Sequence, residues 1–189
     1  MLRGDQVIPD GCPNGSFGQE VAMSSGISTA FEDSELVLGL VGATGTDLDE
    51  VTRALEMRLP SYRYEPVRLR VSKEVIPALV NVDVPSGSHF DRTMALMDAG
   101  NQARMRSGDN SVLALGIAAA IAARRSTDDQ SRLNPAPRRA VVVHSLKHPD
   151  EVVRLRQIYP HGFYLIGVHA DPERRCERLT KDHGFTAEE

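Results

Sequence analysis

A short apolar run, Leu36–Val41, leads directly into a glycine-rich turn, and the turn leads into residues with helical periodicity. Leu48, Val51 and Leu55 recur at the spacing that places them on one face of a helix, and Pro60 is expected to end that helix. A buried strand, a glycine turn and a helix in this order form the first unit of an α/β sheet. This unit limits the folds open to the chain more than any other feature.

Strands and helices alternate along the rest of the chain as well. The runs that predict further strands are Val67–Val71, with one charged face typical of a sheet edge, Ala140–Val143 and Phe163–Val168. Periodicity or helix-starting residues predict helices at 73–80, 91–104 and 111–125, and from Pro149 and Pro172 onward. This alternation predicts a three-layer α/β domain whose mainly parallel sheet has at least four strands, with the first strand inside the sheet.

The N-terminal part of the chain differs in composition from the rest. Residues 1–33 contain scattered glycines and prolines without a sustained period, so we interpret them as a disordered or loosely attached tail. Residues 34–189 then form one domain. Because no strand or helix follows the last predicted helix to close the sheet, we expect this domain to be truncated at its C-terminus.

Composition and charge exclude several classes of protein. The 189-residue chain has no apolar run of about 18 residues, which excludes a membrane-spanning helix. Its two cysteines are too few for a disulfide framework or a four-cysteine zinc site, so we expect a cytoplasmic protein. The net charge of −4 belongs to residues 1–33, and the remainder is neutral. Bulk charge therefore indicates neither a membrane nor a nucleic-acid partner.

The glycine turn is the candidate phosphate-binding site, because backbone N–H groups and the positive end of a helix meet there. The residues that would contact a bound phosphate are Gly42, Ala43, Thr44, Gly45, Thr46, Asp47, Leu48 and Asp49. If Gly42 begins the pattern G-x-x-x-x-G-K-[ST], its second glycine, its lysine and its hydroxyl residue are all replaced. The usual cation for the β- and γ-phosphates is then missing, and the acids at the helix start repel an anion.

Three interpretations of this turn remain open. In the first, the turn is a structural corner whose acids cap the helix. In the second, it binds a nucleotide weakly without turnover. The third, nucleotide hydrolysis, agrees least with the missing lysine. In the second case Mg²⁺ would accompany the nucleotide, and Asp49 could hold the ion in place of the hydroxyl. His144 follows a buried strand where enzymes of this kind usually carry a carboxylate, and it is predicted to be a hydrogen-bonded residue at the edge of the core.

Two further groups of polar residues could complete such a site. Arg174 and Arg178 share a face of the last helix and could neutralise phosphates as lid arginines do, although a solvent-exposed face paired with neighbouring glutamates is the simpler interpretation. Arg92, Asn101 and Arg104 lie in or beside a predicted helix and could face the same cleft from the substrate side.

A resemblance to a known family extends from about Glu35 to Asp182 in five collinear segments. These segments are Gly39–Asp49, Met97–Arg104, His144–Val152, Gly162–Ala170 and Glu173–Arg178. Together they resemble the N-terminal kinase-like domain of deoxycytidylate deaminase-type proteins, which include the anti-phage dCTP deaminases. The resemblance implies a P-loop kinase-like fold and a regulatory, nucleotide-sensing role.

In that family a zinc deaminase domain, which converts a deoxycytidine nucleotide to its deoxyuridine form, follows the kinase-like domain. The deaminase signature, H-x-E with P-C-x-x-C, is missing from this sequence. The resemblance therefore implies that the zinc and the catalytic residues belong to a C-terminal deaminase domain outside this chain, which has no catalytic residue of its own. The alternatives are a free-standing nucleotide kinase or NTPase with a degenerate loop, and a non-catalytic interaction module.

Overall fold

The computed structural model describes residues 33–125 and 134–186, and a four-stranded sheet lies at its centre. The strands are β1 (Leu36–Gly42), β2 (Glu65–Arg70), β3 (Arg139–His144) and β4 (Phe163–Val168). They are all parallel and lie in the order β2-β3-β1-β4. This confirms the predicted three-layer α/β fold, with β1 inside the sheet and β2 at an edge. Apart from Asp33, the predicted N-terminal tail lies outside the described residues.

The connections between the strands are helical. The helices are α1 (Leu48–Arg58), α2 (Ile76–Leu79), α3 (His89–Ser107), α4 (Val112–Arg125), α5 (Pro149–Ile158) and α6 (Pro172–His183). α3 is longer than predicted because Ser88 and Asp91 form a capping box at its start, and Gly108, in a left-handed conformation, ends it. Within the described residues, no helix has both the length and the apolar character needed to cross a membrane.

β1 is buried on both faces because its alternate side chains enter two different apolar clusters. Val37 joins the larger cluster, to which α2, α3, α4 and α5 contribute residues such as Leu155. Leu38 and Leu40 join the smaller cluster, which α1 covers through Leu48. Burial on both faces is what a continuous apolar strand predicts, in contrast to the one-sided alternation of an exposed sheet.

The chain connections diverge at the carboxyl ends of β1 and β3. From β1 the chain passes through α1 to β2 on one side, and from β3 it passes through α5 to β4 on the other side. α1 and α5 consequently cover opposite faces of the sheet. The gap between two such diverging loops is the crevice in which open α/β sheets bind ligands. The Gly42–Asp49 turn and His144 both lie at this crevice.

A close backbone approach fixes β4 beside β1. The Val37 N–H donates a hydrogen bond to the Gly162 carbonyl oxygen at 2.8 Å. A Cβ atom on Gly162 would lie 2.5 Å from the carbonyl oxygen of Glu35, so a larger residue requires the backbone to move. This contact sets the position of β4 and, through it, of α6.

We expect Gly162→Ala to lower the free energy of unfolding by about 1–3 kcal/mol, the usual cost of overpacking a tight site. Gly167→Ala is the matched control, because a Cβ atom at Gly167, in the adjoining strand, has no neighbour within 4 Å. Urea denaturation of both variants measures the difference. Equal stability of the two variants would contradict the close approach of Gly162 to Glu35.

Candidate functional site

The Gly42–Asp49 turn is held in shape by its own backbone and by one carboxylate. The Thr46 N–H donates to the Ala43 carbonyl oxygen at 3.0 Å, which closes the turn. Asp47 is the N-cap of α1, and its Oδ1 atom accepts the Glu50 N–H at 2.8 Å. A side-chain carboxylate therefore already accepts one of the N–H groups that a bound anion would use.

α6 contacts this turn through two arginines. Arg178 Nη1 lies 2.9 Å from Asp47 Oδ1, and Arg175 Nη1 donates to the Thr44 carbonyl oxygen at 3.4 Å. The backbone approaches closely too, since a Cβ atom on Gly45, which has a φ of +84°, would lie 2.8 Å from the Arg175 carbonyl oxygen. No residue of α6 is fully buried. A cationic face, more than an apolar one, therefore holds this end of the helix against the turn.

The charge of Asp47 is stabilised by these contacts. Partial burial acts to raise the pKa of the Asp47 carboxyl, but the Glu50 N–H and the Arg178 guanidinium outweigh it and hold the pKa below its usual value. The carboxylate and the Arg178 side chain thus form an ion pair inside the candidate site. An incoming phosphate would compete with Asp47 for Arg178.

The far end of α6 is fixed by aromatic contacts. The His183 ring stacks on His89 with ring centroids 4.4 Å apart, and Phe185 meets Phe90 edge-on at 5.3 Å. His89 and Phe90 form the start of α3. α6 therefore extends from the turn after β1 to the beginning of α3 and has contacts at both of its ends.

Asp49 is surrounded by basic groups. Its Oδ1 atom forms ion pairs with Arg68, at 3.3 Å from Nη1, and with Arg70, and His144 Nε2 lies 3.9 Å away. Both arginines belong to β2, where they alternate with Val67 and Leu69 of the larger apolar cluster, so they lie on the α1 side of the sheet. The Asp49 carboxylate therefore ties the start of α1 to the edge strand.

These surroundings do not suit Mg²⁺ at Asp49. The ion takes a shell of oxygen ligands, whereas two guanidinium groups lie against this carboxylate. In the part of the chain that the structure describes, no group of three or more His, Cys, Asp or Glu residues is placed to hold a metal ion. An ion that accompanies a nucleotide would have to be held mainly by the phosphates.

One atom of the His144 side chain departs from the sequence-based expectation of a hydrogen-bonded residue. Its Nε2 atom is buried and has no hydrogen-bond partner among the described residues. Burial lowers the pKa of the imidazole, the Asp49 carboxylate opposes this effect, and Arg70 and Arg68 add to it. The ring is therefore favoured in its neutral form.

Three other buried polar atoms near the turn have no hydrogen-bond partner among the described residues. They are Thr46 Oγ1, Arg175 Nε and Arg178 Nη1, the last of which is held by its ion pair with Asp47 alone. Buried polar atoms in proteins are normally hydrogen-bonded to protein or to water. Together with His144 Nε2, they mark the surroundings of this turn as a place where a polar ligand would gain contacts.

Of the residues that the sequence predicts at the turn, the structure places some in contact with it and others elsewhere. Leu48, which takes the position of the P-loop lysine, is buried in the apolar cluster beneath α1. Arg174 is exposed, while Arg178 and the unpredicted Arg175 reach the turn. The signal for Arg175 was present in the sequence, because Leu179, the one aliphatic residue of α6, lies four residues later on the same face.

The residues predicted on the substrate side are brought together only in part. Arg104 Nη1 donates to Asn101 Oδ1 at 3.1 Å, and both residues line a cavity beside His148. Arg92 lies in the first turn of α3, about 18 Å along the helix from Arg104, and is exposed. Arg92 therefore does not join the other two residues in one cleft.

Comparison with known proteins assigns no family, since no protein-family model and no curated protein matches this chain. The geometry of the turn, of α6 and of the basic residues around Asp49 is therefore the basis for assigning a function.

We expect Gly45→Ala to weaken the contact between the turn and α6. Alanine at a positive φ costs about 1–2 kcal/mol, and the clash with the Arg175 carbonyl oxygen adds a further ~1–3 kcal/mol. Gly184→Ala is the control, because Gly184 has a φ of +68° but no atom within 4 Å of its Cβ position. Chemical denaturation should show a larger decrease in the free energy of unfolding for Gly45→Ala than for Gly184→Ala. Equal decreases would contradict the close approach of α6 to the turn.

His144 should make the protein less stable in acid. The pKa of His144 is lowered in the folded state, so below about pH 6.5 the unfolded chain binds more protons than the folded protein does. The free energy of unfolding therefore decreases as the pH falls through this range. We expect His144→Gln to reduce this loss in urea denaturation followed from about pH 8 to pH 5. The exposed His169→Gln is the control. An unchanged acid profile in His144→Gln would show that other groups cause the loss.

Proposed function

We propose that this chain is a regulatory, nucleotide-sensing module that binds a nucleoside triphosphate at the Gly42–Asp49 turn, beneath α6, without hydrolysing it. The position of α6 carries the proposal, because this helix presents Arg175 and Arg178 to the turn at the crevice between β1 and β3. Guanidinium groups match the geometry of phosphate oxygens and keep their charge at any physiological pH. The unpartnered polar atoms around the turn support the same proposal.

At two described positions of this crevice, the residue that turnover would need is replaced by another. Leu48 replaces the lysine and is buried, so no cation comes from that position. β3 ends at His144 instead of a carboxylate that could hold Mg²⁺. Phosphoryl transfer depends almost entirely on positioned charges of these kinds. Binding without hydrolysis is therefore the function that the crevice supports best.

Binding should be weak because the site already contains its own anion. A phosphate must displace Asp47 from Arg178, and it must approach the carboxylates of Asp47 and Glu50 at the start of α1. Mg²⁺ bound to the phosphates would screen this repulsion, which makes binding dependent on the ion even though Asp49 does not hold it. A sensor of an abundant nucleotide requires no tighter affinity.

The resemblance to the kinase-like domain of anti-phage deoxycytidine nucleotide deaminases indicates the kind of protein in which this module would act. In that setting the module would act in the cytoplasm on a C-terminal zinc deaminase domain. Sequence beyond Glu189 that contains H-[AV]-E and P-C-x-x-C would support this setting, whereas a stop codon and ATP turnover by the isolated chain would favour a nucleotide kinase. Binding of a protein partner without any nucleotide effect would favour the interaction module.

Calorimetric titration with ATP, GTP and dCTP, with and without Mg²⁺, tests the proposal. We expect weak binding that requires Mg²⁺, and no hydrolysis of the bound nucleotide. Arg175→Ala should weaken binding by roughly 10–150-fold, since a lost charge-assisted contact costs about 1.5–3 kcal/mol. Asp47→Asn should strengthen binding, because asparagine retains the helix cap but releases Arg178 and removes a negative charge.

Arg174→Ala is the matched control, because Arg174 is the exposed neighbour of Arg175 on the same helix and should leave affinity unchanged. Micromolar affinity in EDTA would contradict the proposed competition between the phosphate and the acids. Absence of any binding, in the wild type and in Asp47→Asn alike, would leave the turn as a structural corner.

A further inference from the structure

A second concave site lies away from the glycine turn, where the C-terminal half of α3, the α3–α4 turn and the start of α5 meet. Its volume is about 690 Å³, within the range of roughly 300–1,000 Å³ typical of small-molecule sites. The polar residues that line it are Asp98, Asn101, Gln102, Arg104, Asn110 and His148. Three carboxamides in one concave surface are an unusual concentration of groups that both donate and accept hydrogen bonds.

A buried ion pair makes one wall of this site rigid. Arg104 Nη2 donates to Glu151 Oε1 at 2.7 Å, and the Glu151 side chain is only 2% exposed. The other carboxylate oxygen of Glu151 accepts the N–H groups of Lys147 and His148, at 2.9 Å and 3.2 Å. Arg104 in turn donates to Asn101 Oδ1. Breaking the buried pair is costly, so Arg104 and Glu151 are fixed in place. Arg104 then positions the Asn101 side chain, and Glu151 positions the His148 backbone.

This network determines which atoms remain for a ligand. Asn101 uses its Oδ1 atom to accept from Arg104, so its Nδ2 atom is the donor that is left for the cavity. His148 Nδ1 accepts the Asp150 N–H at 3.1 Å, so Nε2 is the ring nitrogen that is left as a second donor. Asp98 supplies an acceptor, and Gln102 and Asn110 supply both kinds of group.

The charge of the site favours an uncharged heterocycle over a phosphate. Glu151 already neutralises Arg104, and Asp98 adds a negative charge, so the wall offers no surplus of cations for an anion. Met105, whose side chain is 74% exposed, adds a polarizable apolar surface of the kind that packs against ring faces. Carboxamides pair with the donor and acceptor edges of nucleobases.

We propose that this cavity binds the base of a free nucleoside, with Asn101 and His148 donating to the ring edge and Met105 against the ring face. This site is formed by residues of α3, of the α3–α4 turn and of the N-cap of α5, and none of them belongs to the Gly42–Asp49 turn. It does not rest on the proposed binding of triphosphate there.

Methionine methyl NMR provides a direct test. The chain is labelled on its methionine methyl groups and titrated with deoxycytidine, thymidine, adenosine and guanosine. We expect a saturable shift of the Met105 signal with at least one of these nucleosides. Met57 is the internal control, because it is equally exposed at 73% but lies on α1, away from the cavity.

Asn101→Asp is the sharpest variant, because it retains an oxygen that can accept from Arg104 while it replaces the Nδ2 donor by an acceptor. We expect it to weaken nucleoside binding about tenfold or more, which is the effect of a lost and mismatched hydrogen bond. Asn81→Asp, an exposed residue outside the cavity with the same charge change, should bind as the wild type does. The melting temperature of both variants checks that they fold.

Several results would overturn the proposal. These are equal shifts of Met105 and Met57, a shift that inorganic phosphate or deoxyribose alone reproduces, and undiminished binding by Asn101→Asp. A shift that appears only with a single-stranded oligonucleotide would overturn it as well. Asp47→Asn should leave the Met105 titration unchanged, so failure of the nucleoside site and failure of the triphosphate site are distinguishable.

Discussion

Burial of β1 is the constraint on which the rest of this structure depends. The strand is hydrogen-bonded to β3 on one side and to β4 on the other, and apolar clusters cover both of its faces. These contacts fix the position of its carboxyl end. The turn that follows therefore begins at the crevice between the connection from β1 to α1 and the connection from β3 to α5. α6 reaches this crevice through β4, and the β2 arginines reach it through their contacts with Asp49. A shift of β1 would move all of these groups relative to one another.

The ion pairs of this molecule differ in burial, and therefore in how much stability is lost when each of them breaks. The pairs Glu35–Arg125 and Glu151–Arg104 have carboxylates that are 2% exposed, and breaking such a buried pair costs about 3–5 kcal/mol. The Asp47–Arg178 pair is 35% and 20% exposed, and pairs in contact with solvent contribute only about 0–1 kcal/mol. Loss of the Asp47–Arg178 pair would therefore cost the fold little, as the proposed transfer of Arg178 to a phosphate requires, whereas Arg104 is held in its buried pair.

The sequence allows most of the fold to be predicted, because apolar periodicity and helix-starting residues act locally. Phe163–Val168 is a strand with the predicted ends, and Pro149 and Pro172 begin helices as expected. The site was less accessible to prediction, since its contacts join distant segments. Whether Arg174 or Arg175 reaches the turn depends on the rotation of α6, and the partners of Asp49 depend on the position of β2 beside β3. The cavity at Asn101 requires α3, the turn that follows it and the start of α5 in their final arrangement.

The energetic balance at the turn is consistent with a sensor more than with an enzyme. A phosphate that replaces Asp47 gives up one partly exposed ion pair and one helix cap, each worth about 1 kcal/mol. It gains charge-assisted contacts with Arg175 and Arg178 of about 1.5–3 kcal/mol each. The net gain of about 1–4 kcal/mol must still offset the loss of translational and rotational freedom on association, so we expect weak binding. A ligand changes a conformational equilibrium only by the difference in its affinity for the two states. In the proposed sensor that difference would lie in Asp47, which is bound to Arg178 in this structure and would be released when a phosphate binds.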